Sequence, residues 1–439
     1  MDAFFKQIPA QALSKTFRHA VDIARYLEFQ YLWVDSLCII QDDKDDLTNQ
    51  ASLMCSIYGG SGINIMASGA FDGSQGCFYD RPSSWRSHIT VEFSGSEVLF
   101  DCVPYRFAGG MTDMPLARRG WVVQEQLLPQ RKLFFTRTEV FWKCNETHAC
   151  ETFPEGILPP FTAKDPVTKP ISIAMWEKIV AWYSCCDLTV ETDKLVAISG
   201  IAQLISNGTG EEYIAGMWRQ NMEYQLCWRP WNKDGAVGIY RAPSWSWASL
   251  NGGINFSYPG KPPLYTGHLC VKVQGLQAQN ATLNNSFSQV LRATLRLRCE
   301  HLLRTTYKYV SSDVHDGDTL GEIFPPWSQY ETFGTILDCT SDPSNPILDN
   351  SPFHILPTTL HPGEFYIAEG LVIRATGLAR GQYQRVGWFL FQELPGSASF
   401  DLEQIGNLFL DANCHAQDED YAEIRNVEHG KTQRFIDII

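Results

Sequence analysis

The chain is poor in charge and in long apolar runs. Only 19% of its 439 residues are Asp, Glu, Lys or Arg, and 44% are apolar. That make-up excludes a disordered, charge-rich chain and is enough to build a sizeable core. Basic residues are the scarcer sign. The 35 Lys and Arg against 49 Asp and Glu leave a formal charge of −14. A general nucleic-acid binder needs a basic footprint that this balance does not supply. Docking on anionic lipid is disfavoured for the same reason. No stretch reaches the ~18 apolar residues of a spanning helix. The N-terminal MDAFFKQIPAQ has no apolar signal-peptide core. The expectation is no nucleic acid, no membrane span and a cytoplasmic location.

Several motifs of common chemistries are missing too. No GxGxxG follows a strand, and neither GxxxxGK nor a GxSxG elbow occurs. Gly59-Gly60-Ser61-Gly62 joins a helix to a strand, the reverse of the order that cradles a phosphate. These absences weigh against nucleotide-driven motors and classical hydrolases. The 13 Cys contain no CxxC. Cys144, His148 and Cys150 form a Cys-x3-His-x-Cys array around Glu146. Zinc wants a fourth ligand and paired spacing, so no metal site is expected. An odd, scattered set of thiols points to reduced and mostly buried cysteines, Cys185–Cys186 included.

At ~150 residues per domain the length allows two or three domains. Residues 14–29 have the spacing of an amphipathic helix, with Phe17, Val21, Ala24 and Leu27 on one side and Ser14 or Thr16 as cap. YLWVDSLCII (31–40) reads as a buried strand, stopped by Asp42, Asp43, Asp45 and Asp46. Residues 46–58 resume a helical period, and GINIMASGA (62–70) is a second strand. This order predicts a parallel sheet with helices on its faces. Residues 88–107 alternate as antiparallel strands, 117–128 open a helix, and 131–144 read as a hairpin. The stretch 154–171, with Pro154, Pro159, Pro160, Pro166 and Pro170, is the candidate linker. It separates a first domain at 1–153 from a mixed region at 172–439. In the latter, 172–206 looks helical, while 255–300 and 365–395 alternate like strands. The part between, with Pro325, Pro326, Pro343, Pro346 and Pro352, is loop-rich.

Four segments carry a family resemblance: YLWVDSLCIIQDD (31–43), LMCSIYGGSGINIMASGAFDGSQGCF (53–78), RRGWVVQEQLLPQRKLFF (118–135) and FWKCNETHACE (141–151). In this order and spacing they resemble the blocks of the fungal heterokaryon-incompatibility (HET) domain. YSCCDLTVETDKLVAISGIA (183–202), RAPSWSWASLNGGI (241–254) and GQYQRVGWF (381–389) resemble the region that often follows it. The resemblance implies an α/β fold with a TIR-like parallel sheet and flanking helices, then a mixed, β-rich C-terminal region. It also implies a fungal, cytoplasmic protein of the kind that triggers programmed cell death when unlike hyphae fuse. TIR domains, with which HET domains have been compared, include enzymes that cleave NAD with a single Glu. Two features depart from the family pattern. The chain begins near its first helix without the usual ALSYxWG strand, and it has Gln50 where Glu is common.

The candidate site residues fall in three groups. Asp35, Ser36, Cys38 and Gln41 follow the first expected strand, where ligands bind in open α/β sheets. Asp35 can orient a ribose hydroxyl or act as a base, and Cys38 becomes a nucleophile only if a cation lowers its pKa. The plain alternative is a turn cap and a core thiol. Arg119, Trp121, Gln124 and Glu125 form the sharpest polar cluster. Glu125 sits among apolar residues, where desolvation would lift it toward general-acid range. Arg119 can bind an anion and Trp121 can stack on a planar ligand. A structural Arg–Glu pair is the alternative. Arg81 is a further anion-binding candidate. Trp245 and Trp247 in PSWSWAS would share one face of a strand, as core or as the lining of an aromatic pocket. Three functions remain open: an incompatibility effector that takes NAD as substrate, an acid–base enzyme of fungal secondary metabolism, and a non-catalytic recognition protein. The partner is accordingly a small-molecule ligand or another protein, and an oligomer is compatible with all three.

Overall fold

The computed structural model describes residues 8–81, 87–102, 114–157, 171–230, 239–256, 267–282, 285–309, 321–324, 333–338, 352–361, 367–392, 416–426 and 432–439. The chain divides into two compact units. The first holds Met1–Met175, Cys186–Thr189 and Ala197–Leu204; the second holds Trp176–Cys185, Val190–Val196 and Ile205–Ile439. Residues 158–170 of the Pro-rich stretch and Pro325, Pro326, Pro343 and Pro346 lie outside the described residues.

In the first unit Ser14 caps helix α1 (Lys15–Tyr26), its hydroxyl accepting from the Phe17 amide. The helix buries Ala20, Ile23 and Ala24. The stretch 31–40 is not the expected strand. It forms a single helical turn, α2 (Asp35–Cys38), flanked by extended backbone at Val34 and Ile39. The cause is local. Asp35 Oδ1 accepts from the Ser36 amide at 2.7 Å, and Asp favours such turns over a ladder. Tyr31 is 88% exposed and Cys38 is exposed as well, so the run is not buried. Asp43 caps α3 (Lys44–Gly59) by accepting from the Asp45 and Asp46 amides. The acidic cluster thus starts a helix, where the macrodipole favours negative charge.

Strand β1 (Asn64–Met66) is followed by a hairpin of β2 (Ser87–Phe93) and β3 (Ser96–Cys102). Its turn residues Ser94 and Gly95 have φ of 55° and 80°, the signature of the turn that matches strand twist. A 3-10 turn at Pro115–Arg118 leads into α4 (Val122–Leu127). Strands β4 (Arg131–Phe135), β5 (Val140–Cys144) and β6 (His148–Cys150) follow. The sheet order is β1-β4-β5-β6. β1 runs parallel to β4, with Asn64 opposite Lys132, and the other pairings are antiparallel. The sheet is therefore mixed, with one parallel pair in place of a wholly parallel arrangement. With α2 where a strand was expected, the parallel partner of β1 comes from the 131–144 hairpin. Met66, Val122, Phe134, Phe141, Cys150 and Ile157 form one core cluster of this unit.

The second unit is β-rich. Its main sheet contains β7 (Val271–Asn280), β8 (Val290–Cys299), β9 (Leu303–Tyr309) and β10 (Gly321–Phe324). β11 (Phe333–Leu337), β12 (Pro352–His361), β13 (Ile367–Ala375) and β14 (Gln382–Gln392) continue it. β15 (Glu423–Asn426) and β16 (Thr432–Ile438) complete it. The order is β7-β8-β16-β14-β13-β12-β9-β10, with β11 on β14, β15 on β16 and His268–Leu269 on β12. A tryptophan core accompanies the sheet. Trp176, Trp218, Trp228, Trp245 and Trp247 are each no more than 1% exposed. Trp176 and Trp247 both donate to the Gly216 carbonyl, at 2.9 and 2.7 Å. Trp228 donates to the Trp245 carbonyl at 2.9 Å. Trp245 and Trp247 do not alternate along a strand; Trp247–Ser249 is a 3-10 turn capped by Ser246. These indoles are packing, each worth about 3–5 kcal/mol if truncated to Ala.

Candidate functional site

Glu125 is the centre of the polar cluster in the first unit. It sits in the first turn of α4 and is part-buried. Asn64 on β1 donates from its side chain to the Glu125 carbonyl at 2.9 Å, tying α4 to the strand. Tyr58, near the end of α3, donates its hydroxyl to the Glu125 carboxyl. Trp33 meets the Tyr58 ring edge-on at 5.6 Å. Burial pushes the Glu125 carboxyl up to about 7, and the negative charge of Asp35 adds to the rise. The Arg119 charge and the Tyr58 hydrogen bond oppose it without cancelling it. The same surroundings drive the Tyr58 phenol well above its ordinary range, first by burial and then by the charges of Glu125 and Asp35. Tyr58 is therefore a fixed donor. A carboxyl that holds its proton near neutrality can give or take one at physiological pH.

Three side chains act on the Glu125 carboxyl: Tyr58 through its hydrogen bond, and Asp35 and Arg119 through their charges. Arg119 is exposed, and its backbone is braced from behind, since the Gly120 amide donates to Asp187 O at 2.8 Å. Asp35 heads α2 and is exposed. Ser36 is its neighbour, and Gln41 donates from its side chain to the carbonyls of Asp35 and Ile39 at 3.2 and 3.0 Å. Gln41 therefore holds the α2 turn. Cys38 is exposed, with Sγ accepting from the Val34 amide at 3.5 Å. Trp121, at the entrance of α4, is half-buried.

Two predicted ligand-binding residues are engaged elsewhere. Gln124 is fully buried, and its Oε1 accepts from the Gly200 amide at 2.8 Å. Arg81 is ion-paired with Glu151, whose carboxylate also accepts from the Val140 amide at 2.9 Å. The Cys144–His148–Cys150 array does not converge. Cys150 belongs to the core cluster, whereas the Cys144 sulfur accepts from the Thr147 amide at 3.4 Å and closes the β5–β6 turn. Tyr58 and Asn64 are the two members that the sequence did not reveal. The second unit has a cavity of about 990 Å³, bordered by Tyr240, Arg241, Leu291, Asp338 and Arg385. None of the core tryptophans lines it.

The first unit is thus a mixed α/β domain that carries a shielded carboxyl poised near neutrality. Residues 3–125 match the family model described as heterokaryon incompatibility protein (HET). Over that stretch, which ends on Glu125, the chain is similar to the heterokaryon-incompatibility domain. Neither the curated proteins nor the solved structures include a match. Among the described residues no helix is long and apolar enough to cross a membrane.

Proposed function

We propose that the protein is an effector of fungal heterokaryon incompatibility that triggers cell death by cleaving NAD, with Glu125 as its catalytic carboxyl. One observation carries the reading. The Glu125 carboxyl is lifted to about 7 within reach of the Tyr58 hydroxyl and of the charges of Asp35 and Arg119.

Hydrolysis breaks the bond between ribose C1′ and the nicotinamide nitrogen. Nicotinamide leaves with the electron pair, and positive charge develops on the ribose. Ionised Glu125 stabilises that charge and takes a proton from the attacking water. The products are ADP-ribose, nicotinamide and one proton. Tyr58 fixes the orientation of the carboxyl through its hydrogen bond. The exposed guanidinium of Arg119 holds the pyrophosphate, and Asp35 receives a ribose hydroxyl. Trp121 offers a ring face to a planar base. Expression in a fungal host tests the biological half. The wild-type chain arrests growth, and folded Glu125→Ala relieves the arrest. Equal toxicity from a folded Glu125→Ala variant would sink the assignment.

A further inference from the structure

A different set of side chains in the second unit has the chemistry of a metal site. His268, Cys270 and Glu300 bring an imidazole, a thiol and a carboxylate together, with all donor atoms within 4.8 Å of one another. The backbone explains the convergence. His268 and Cys270 lie two residues apart on extended chain, so their side chains share a face. His268 pairs with Leu360 of β12. The last paired residues of β7 and β8 are Val271 and Cys299. Cys270 and Glu300 come next on either strand, and the Glu300 amide donates to the Cys270 carbonyl at 2.9 Å. The Cys270 amide in turn donates to Thr358 O at 2.9 Å. All three ligand positions are therefore pinned by sheet hydrogen bonds, which suits a preorganised site.

We propose that His268, Cys270 and Glu300 bind one divalent transition-metal ion of the zinc class, with a water-accessible fourth position. The donor set is mixed nitrogen, sulfur and oxygen, which suits zinc or cobalt and excludes calcium and magnesium as preferred guests. Bonds of ~2.0–2.3 Å in a tetrahedron put neighbouring ligand atoms about 3.3–3.8 Å apart. His268 Nε2 and Glu300 Oε2 are already 3.2 Å apart. The Cys270 sulfur lies within 4.8 Å of both atoms. The thiol is buried, whereas the imidazole and carboxylate are about half exposed. An ion can thus enter from the solvent side and meet the sulfur beneath. Binding replaces the thiol proton, which leaves to solvent, by the metal.

Cobalt(II) titration of the chelator-stripped full chain tests this. One equivalent is expected to produce a thiolate-to-cobalt charge-transfer band together with the strong visible bands of tetrahedral cobalt. Cys270→Ser abolishes the charge-transfer band. His268→Ala and Glu300→Gln, both at exposed positions, each weaken binding at least about tenfold, the scale that losing a ligand's supporting partner already produces. Zinc competes the cobalt away. The proposal fails if the stripped chain takes up less than one equivalent, or if the charge-transfer band persists in Cys270→Ser. It also fails if His268→Ala and Glu300→Gln bind cobalt as tightly as the wild type.

Discussion

The Tyr58 hydroxyl hydrogen-bonds to the Glu125 carboxyl and joins the end of α3 to the first turn of α4. This bond favours the ionised carboxylate, while burial and Asp35 favour the protonated acid. The balance lies near neutrality because desolvation is the larger effect.

Removing that bond shifts the balance in a known direction. Tyr58→Phe keeps the ring against Trp33 and deletes the donor. Glu125 should then titrate above about 7. The pH dependence of unfolding, compared between wild type and variant, reads the shift. A midpoint that moves down, or stays, contradicts the assigned hydrogen bond.

Stability should also carry the imprint of Glu125. Its pKa rises from 4.5 to about 7 on folding. Between those values the folded state binds more protons than the unfolded one, so stability falls as pH rises through the window. The stabilisation is fully present below 4.5 and lost above 7. Its size is at most about 3.5 kcal/mol, from a separation of about 2.5 pH units at ~1.4 kcal/mol each. Glu125→Gln should remove this fall and gain on the wild type at pH 8. Urea denaturation at pH 4.5 and pH 8 measures both.

Gly200 should tolerate no side chain. A Cβ there would lie 2.2 Å from Gln124 Oε1 and 3.1 Å from the Cys55 amide nitrogen. Gly200→Ala should cost about 1–3 kcal/mol by overpacking. Gln124→Leu should cost a similar ~1–3 kcal/mol, because it leaves the buried Gly200 amide without an acceptor. Denaturant midpoints settle both.

In the second unit, Arg385 Nε donates to Asp338 Oδ2 at 2.8 Å, and both side chains are buried. Arg385 also donates to the carbonyls of Leu226 and Trp228 at 2.6 and 2.5 Å. Asp338→Ala should cost about 3–5 kcal/mol, since it strands a buried guanidinium. A loss below 1 kcal/mol, read by chemical denaturation, would show that the pair is solvated.

Much of the local structure was legible. The helical spacing of 14–29 announced α1, 131–144 read as a hairpin, and alternation over 365–395 announced β13–β14. The run 31–40 misled because a short apolar stretch looks the same as strand or turn, and Asp35 decided it. The pairing of Asn64 with Lys132 was beyond local reading, since nothing near either residue encodes its distant partner. Glu125 stood out as a carboxyl in an apolar setting. Tyr58 did not, because it completes a helical apolar repeat and its hydroxyl matters only once α3 meets α4. Five buried tryptophans pack the second unit, and three of them, Trp176, Trp228 and Trp247, donate to backbone carbonyls.

The most direct test of the account is nicotinamide release from NAD by the purified chain, measured for wild type and Glu125→Gln at pH 7. The account predicts turnover by the wild type and a loss of at least about 100-fold in the variant, the scale of a missing acid–base group, with the fold intact by circular dichroism. A folded wild type that leaves NAD untouched, or a Glu125→Gln variant that cleaves it at the wild-type rate, would contradict it.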